Sequence, residues 1–260
     1  MRVATAAVLL PVAVGAILLG PRWFLLLVVI MVGAGWWEWV GMGRAGQLRP
    51  FAIVGGVAAV GLSALAAIAG PWRELALVAL VVALGLAALL RSNYDAVLTD
   101  VAYTILGVMW IGWLGGYAIV LRDRPDGTTW LLVALAITWS ADTGAFFAGR
   151  AFGKHLLCPR ISPKKTVEGL VGGLVAASLV GSAAVFWFLL FPSWLGAAVG
   201  LLGGSAAVLG DLWESLVKRQ LGVKDSGTLM KGHGGVLDRI DSVLFAVPAV
   251  TACVILIQGG

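Results

Sequence analysis

The sequence contains little charge. Asp, Glu, Lys and Arg make up only 12% of its 260 residues, whereas 60% of the residues are hydrophobic. Soluble domains carry about 25% charged and about 45–50% apolar residues, so a soluble chain of this length could not bury so much apolar surface. We therefore exclude a soluble globular protein and expect lipid to surround most of the chain.

Cysteine and histidine are also scarce, with two of each. Cys158 and Cys253 lie far apart, which excludes a disulfide framework and a cysteine-rich metal site. Apolar segments recur as far as the C-terminus, which argues against a cleaved signal peptide followed by an exported domain. The net charge of +5 leaves nucleic acid, anionic lipid headgroups and phosphorylated substrates open until the positions of the charges are considered.

The apolar runs predict an all-α, polytopic transmembrane bundle. Separated by Gly, Pro and charged residues, they give about nine spans, near residues 4–19, 23–40, 51–69, 72–91, 100–120, 129–149, 168–191, 193–213 and 240–258. Glycine runs such as residues 169–173 indicate close helix packing rather than a nucleotide-binding loop. We divide the chain into N-terminal helices, residues 1–120, and C-terminal helices that carry the catalytic site, residues 121–260.

The basic residues predict the orientation. With a cytoplasmic N-terminus, 14 Lys and Arg residues fall on the inside and four on the outside, as the positive-inside rule requires. This topology places the two charged loops of the second half on one cytoplasmic face. Most tryptophans fall near span ends, where we expect them to act as interfacial anchors.

In the second half of the chain, polar residues recur at helical spacing at the ends of two spans. The spans of the first half are nearly uncharged, and this difference between the halves is the main functional signal. The polar residues are Asp211, Glu214, Ser215 and Lys218 in one span, and Asp238, Asp241 and Ser242 in the other. Carboxylates and hydroxyls without thiolates suit a hard cation such as Mg²⁺, and neighbouring Lys and Arg residues suit a polyphosphate. The alternative is a solvated loop that binds anionic lipid, but interleaved Asp and Gly residues favour the metal and phosphate site.

Residues 215–241 resemble the signature of the phosphatidate cytidylyltransferases, also called CDP-diacylglycerol synthases. The resemblance rests on Lys218-Arg219, Lys224-Asp225, His233-Gly234-Gly235, Asp238-Arg239 and Asp241. A second block, residues 141–169, is similar to the other charged segment of that family. Lys231 departs from the pattern, since proline is common at this position, and we expect it to change loop stiffness more than chemistry.

The resemblance implies that CTP and phosphatidic acid give CDP-diacylglycerol and pyrophosphate in phospholipid biosynthesis. It implies Mg²⁺ as cofactor, leaves a second, monovalent ion open, and suggests a homodimer in the bacterial inner membrane with no nucleic-acid partner. The implied catalytic residues are Lys224, Asp225, Asp238 and Asp211, and the implied metal ligands are Asp211, Asp238 and Asp241. The implied substrate-binding residues are Arg160, Ser162, Lys164, Lys165, Thr166, Lys218, Arg219, His233, Gly234, Gly235, Arg239 and Asp142.

Some residues keep a plainer alternative. Asp142 is either a site residue or a side chain that caps a helix end or makes an internal hydrogen bond, and His155 is interpreted as an interfacial side chain. His233 lies among glycines that let backbone amides approach an anion, which favours phosphate over metal.

Three other functions compete with the cytidylyltransferase. A transporter should show polar residues at mid-membrane and repeated halves, and we find neither. A lipid-binding scaffold explains the basic loops but not the aspartates. A cytidylyltransferase for an ether-linked or isoprenoid lipid phosphate would use the same headgroup chemistry, so the motifs do not separate it from the phosphatidate enzyme.

Overall fold

The computed structural model describes residues 2–227 and 234–259, and side chains from residue 11 onward. Its helices are α1 (Arg2–Leu19), α2 (Pro21–Ala45), α3 (Ala52–Ala64), α4 (Trp72–Leu89), α5 (Val97–Gly107), α6 (Leu114–Arg122), α7 (Gly127–Phe152), α8 (Val167–Leu189), α9 (Ser193–Gln220) and α10 (Leu237–Gln258). A 3₁₀ turn, Leu65–Ala67, extends α3, and a π-helical turn, Val108–Trp113, joins α5 to α6. Two short strands, β1 (Leu156–Cys158) and β2 (Ser162–Thr166), pair antiparallel.

The predicted all-α, polytopic fold is confirmed. In the described part of the chain, seven helices are long and apolar enough to cross a membrane, counting Val97–Arg122 as one. The predicted spans near 4–19 and 51–69 correspond to α1 and to the 16-residue apolar helix Ala52–Ala67, so the total of nine spans stays a prediction. The sequence did not predict the β1–β2 hairpin, because Pro163 and two lysines in β2 give no strand pattern.

The chain forms two compact units. The first contains the residues up to Val120 together with Gln220–Asp238, and the second contains Leu121–Arg219 and the residues from Arg239 onward. The assignment of the catalytic site to residues 121–260 stays a prediction, since Gln220–Asp238 belongs to the first unit.

An aromatic pair joins α2 to α5 in the first unit. The rings of Trp39 and Tyr103 stack with their centroids 4.2 Å apart. The Trp39 indole N–H donates to the Tyr103 carbonyl at 3.2 Å, and the Tyr103 hydroxyl donates to the Trp39 carbonyl at 2.9 Å. Satisfying both polar groups internally allows these side chains to be buried. The expectation of interfacial anchors is therefore wrong for Trp36, Trp39, Trp110 and Trp130, whose side chains are all buried.

An ion pair fixes the connection between α2 and α3 in the first unit. Arg91 lies 2.8 Å from Asp100, whose other carboxylate oxygen accepts from the Arg49 amide at 2.8 Å. The guanidinium of Arg91 also lies over the ring of Phe51, 4.1 Å from its centroid. Both oxygens of the Asp100 carboxylate therefore have a partner, which lowers the free energy of burying Asp100.

Glycines bring the helices of the second unit into backbone contact. A side chain at Gly144 of α7 would meet the Ala176 methyl group of α8 at 2.6 Å. A side chain at Gly200 of α9 would overlap the Ala177 carbonyl of α8. These contacts support the interpretation of the glycine runs as packing surfaces, because small residues let helices in lipid approach each other closely.

The contact between α9 and α10 matters most for the polar residues. A methyl group at Gly210 would overlap the Asp241 carbonyl and lie 3.1 Å from the Ser242 Cα atom. The missing side chain at Gly210 therefore lets the two backbones touch, and the neighbouring Asp211 comes close to Asp241.

We predict that Gly200→Ala lowers the thermal stability of the purified protein. The added methyl group would press against the Ala177 carbonyl and force α8 and α9 apart, which typically costs about 1–3 kcal/mol. Gly85→Ala in α4 is the matched control, because nothing lies within 4 Å of a methyl group there. Thermal unfolding in detergent measures both, and an unchanged melting temperature for Gly200→Ala would contradict the packing assignment.

Candidate active site

Charged side chains from α7, β2, α9 and α10 gather in the second unit. We call Asp142, Lys165, Asp211, Glu214, Lys218 and Asp241 the acidic cluster. The Lys165 ammonium lies 2.5 Å from Asp211, and the hydroxyl of Ser215 lies 3.4 Å from the other oxygen of the Asp211 carboxylate. Hairpin β1–β2 and helix α9 therefore meet at Asp211.

The buried part of the cluster connects α9 to α10. Glu214 is 1% exposed and pairs with Lys218 one helical turn later at 2.9 Å. Asp241 is 8% exposed and interacts with Glu214, Asp211 and Lys218. Carboxylates that contact each other repel when both are charged, so this arrangement favours a bound cation or a shared proton.

Asp142 completes the cluster from α7. It is exposed and interacts electrostatically with Asp211 and Lys165. Since α7 continues to Phe152, Asp142 is not a cap at the helix end. When all six side chains are ionised, the four carboxylates exceed the two lysines by two negative charges.

The hairpin carries five of the predicted substrate-binding residues. Arg160 lies in its turn, and Ser162, Lys164, Lys165 and Thr166 lie in β2. Two of the predicted residues have a structural role here. The Thr166 hydroxyl caps α8 by accepting from the Gly169 amide at 3.1 Å, and Arg219 of α9 donates to the Ile161 carbonyl at 3.3 Å.

His155, at the base of the hairpin, forms a contact with the first turn of α8. Its ring lies 2.6 Å from Glu168, whose carboxylate accepts from the amides of Lys154 and His155 as well. His155 is therefore an exposed partner of Glu168 at the base of the hairpin, and its interfacial location stays a prediction.

A buried glutamate of the first unit was missed by the sequence analysis. Glu38 of α2 is 3% exposed and accepts hydrogen bonds from the amides of Val236 at 2.9 Å and Leu237 at 2.8 Å. The hydroxyl of Ser226 lies 3.1 Å from the same carboxylate. The sequence signal for Glu38 was an acidic residue inside an apolar span, where a charged side chain is unfavourable unless it has a partner.

Asp238, a predicted catalytic residue and metal ligand, lies in the same unit. One oxygen of its carboxylate lies 2.7 Å from the Gly235 amide, 3.0 Å from the Ser226 amide and 2.9 Å from the Ser226 hydroxyl. Asp238 thus holds the segment before α10 together. Its predicted role in metal binding, shared with Asp211 of the second unit, stays a prediction.

The remaining predicted residues differ in their surroundings. Lys224 and Asp225 are exposed in the turn after α9, and Arg239 is exposed in the first turn of α10. Gly234 has φ +78°, a left-handed conformation that favours glycine, and a side chain there would meet Asp238 at 2.6 Å. His233 and Lys231 lie outside the described residues.

The acidic cluster fits a divalent cation, although it is not a ready-made cage. Among the residues that the structure describes, no three His, Cys, Asp or Glu side chains converge closely enough to hold a metal ion by themselves. Mg²⁺ usually takes one or two carboxylates and completes its coordination with water and phosphate oxygens. The excess negative charge around Asp211 and Asp241 agrees with that manner of binding.

Comparison with known proteins identifies the family. Its sequence model, described as "Cytidylyltransferase family", matches residues 1–257. A protein of Staphylococcus aureus (strain COL), named phosphatidate cytidylyltransferase, is 36% identical over 219 residues, 82% of each chain. A protein of the same name from a Synechocystis species is 34% identical, and the match covers 98% of this chain and 96% of the relative. Another from Staphylococcus haemolyticus is 42% identical over 61% of this chain and 60% of the relative. Since the match extends over nearly the whole sequence, the chain belongs to the cytidylyltransferase family.

Proposed function

We propose that this protein is a phosphatidate cytidylyltransferase, which converts CTP and phosphatidic acid into CDP-diacylglycerol and pyrophosphate. The family match and the names of the relatives support this activity. The structural observation that carries it is the acidic cluster, in which Lys165 contacts Asp211 at the ends of membrane-spanning helices. Such a position lets a lipid keep its acyl chains in hydrocarbon while its phosphate meets soluble CTP.

The reaction is a phosphoryl transfer. A phosphate oxygen of phosphatidic acid forms a bond to the α-phosphorus of CTP, and the bond to the β-phosphate breaks to release pyrophosphate. The second pKa of a phosphate monoester is about 6, so the attacking oxygen is already largely ionised at neutral pH. The protein therefore has to hold the two substrates in line and neutralise their charges rather than supply a strong base.

The residues divide this work by charge. The amino groups of Lys164 and Lys165 and the guanidinium of Arg160 bind the triphosphate or the lipid phosphate. The ammonium of Lys165 is oriented by Asp211, with Nζ 2.5 Å from the carboxylate. Lys218 is held by Glu214 at 2.9 Å and adds positive charge near Asp241.

A divalent cation completes the proposal. Asp211 and Asp241 would hold Mg²⁺ in the second unit, whereas metal binding by Asp238 stays a prediction from the sequence. When bound, the ion would neutralise phosphate oxygens as negative charge develops on the leaving pyrophosphate. The use of a monovalent ion stays a prediction, and so does the homodimer.

We propose the bacterial inner membrane as the location, with the site on the cytoplasmic face where CTP is available. This orientation is supported by the distribution of Lys and Arg, of which 14 fall on the predicted cytoplasmic side and four on the opposite side. The apolar helices support an integral membrane protein.

We predict that the purified protein releases pyrophosphate from CTP only when phosphatidic acid and Mg²⁺ are present, and that Asp211→Asn lowers the rate about a hundredfold or more. The substitution keeps the shape of the side chain but removes a charge that orients Lys165 and attracts the cation. Asp126→Asn is the matched control, because Asp126 is exposed in the turn before α7, and asparagine tolerates its left-handed φ of 53°.

A panel of lipid phosphates in the same assay separates the related functions. Preference for an ether-linked or isoprenoid phosphate would change the substrate but keep the family. Absence of pyrophosphate release with every lipid phosphate would refute the enzymatic function.

We predict that Lys165→Gln lowers kcat/KM for CTP about tenfold to a hundredfold, as expected for loss of a charged hydrogen-bond donor. Its ammonium contacts Asp211 and interacts electrostatically with Asp142, so its removal leaves excess negative charge facing the triphosphate. Lys154→Gln is the control, since that side chain is exposed before the hairpin. Equal kinetics for the two variants would remove Lys165 from the substrate site.

We predict that residues 160 and 225 face the cytoplasm and residue 123 the opposite side. Single cysteines at these exposed positions, in a protein whose Cys158 and Cys253 are replaced by serine, can be treated with a membrane-impermeant thiol reagent. Labelling of 160 and 225 should require permeabilised cells, whereas 123 should react in intact cells. Labelling of 160 and 225 from opposite sides would contradict the proposed site.

A further inference from the structure

Glu38 is a buried acid that the reaction described above does not use. Its side chain is 3% exposed and belongs to α2, a helix of 25 residues that is otherwise apolar enough to cross the membrane. A buried charge is strongly unfavourable unless it is paired or fully hydrogen-bonded. The partners of Glu38 therefore indicate why an acid is present there.

The partners come from two ends of one distant segment. The Val236 and Leu237 amides, at the N-terminus of α10, donate to the two oxygens of the carboxylate at 2.9 Å and 2.8 Å. The hydroxyl of Ser226, ten residues before Val236, lies 3.1 Å from it. A negative charge at the N-terminus of a helix also interacts favourably with the helix dipole.

Two glycines make room for this carboxylate. A side chain at Gly227 would meet the Oε1 atom of Glu38 at 2.6 Å, and one at Gly235 would overlap both Glu38 and the Ser226 hydroxyl. Gly235, which the sequence suggested as a phosphate-binding residue, thus has a second role. The glycines and the acid fit each other, which indicates a site built around Glu38 rather than an isolated hydrogen bond.

Ser226 connects Glu38 to residues of the proposed reaction. Its hydroxyl lies 2.9 Å from Asp238, its amide donates to Asp238 at 3.0 Å, and it follows Lys224 and Asp225 directly in the chain. We propose that Glu38 is a positioning residue that holds Ser226 and the N-terminus of α10 in place, and so fixes Asp238 and the Lys224-Asp225 pair. This inference rests on the proposed function and on the catalytic roles that the family resemblance implies for Asp238, Lys224 and Asp225.

Glu38→Gln tests the anchor directly. Glutamine has nearly the same shape, but its NH₂ group would face an N–H or O–H donor where the glutamate offers an acceptor. Amide hydrogen exchange of peptides covering residues 234–240 should speed up about tenfold or more, while peptides from α7 and α8 stay unchanged. Glu74→Gln is the matched control, because Glu74 is an exposed glutamate in the first turn of α4.

Kinetics separate positioning from a general loss of folded protein. Unfolding of a fraction of the enzyme lowers the apparent kcat and leaves KM unchanged. Displacement of Ser226 and Asp238 should instead raise KM for CTP about tenfold to a hundredfold and raise the Mg²⁺ concentration needed for half-maximal activity. Faster exchange at residues 234–240 with unchanged KM and Mg²⁺ dependence would overturn the proposal, and so would unchanged exchange.

Ser226→Ala provides a second, milder variant in case Glu38→Gln folds poorly. It removes only the hydroxyl between the two carboxylates and should shift the same quantities in the same direction. If Glu38 acts through Ser226, the double variant should be no worse than Glu38→Gln alone, whereas fully additive losses would contradict that connection. Because hydrogen exchange needs no turnover, the anchor can be confirmed or rejected even if the wild-type protein makes no CDP-diacylglycerol.

Discussion

A carboxylate removed from water has to find donors or cations, and this requirement determines the polar architecture of both units. In the first unit, Glu38 meets it with two backbone amides and a hydroxyl. In the second unit, the buried Glu214 meets it by pairing with Lys218, and the partly exposed Asp211 pairs with Lys165. The low dielectric constant that makes these groups unfavourable when alone also strengthens their interactions when paired. The proposed chemistry uses the same property, since phosphates entering such surroundings interact strongly with every fixed charge.

The helical fold could be predicted from the sequence because lipid requires each spanning segment to satisfy its own backbone hydrogen bonds. Apolar runs therefore correspond directly to helices, and each predicted span corresponds to a helix in the structure. The wrong or missing predictions concern features that depend on tertiary contacts. Trp39 is buried because Tyr103 satisfies its N–H group, and β2 forms because it pairs with β1. Neither partner can be recognised from local hydropathy.

The candidate site was predictable to the extent that it follows helical spacing. Glu214 and Lys218 are one turn apart on α9, so their pairing could be anticipated. The contact of Lys165 with Asp211 spans 46 positions, and only the general resemblance to a family placed them in one site. Glu38 was missed because its partners lie 188 to 199 residues later. An acid within the tryptophan-rich end of α2 was the one local signal, and it gave no indication of what the acid would bind.

The membership of Gln220–Asp238 in the first unit has a consequence for biosynthesis. Ribosomes add about 5–20 residues per second, so the 199 positions between Glu38 and Leu237 take about 10–40 s to make. The unit that is begun first is therefore completed late, after α7, α8 and all of α9 have been synthesised. No single cut of the chain separates the two units, and a ribosome that stops before residue 220 leaves Glu38 in the bilayer without the groups that hold it in the finished protein.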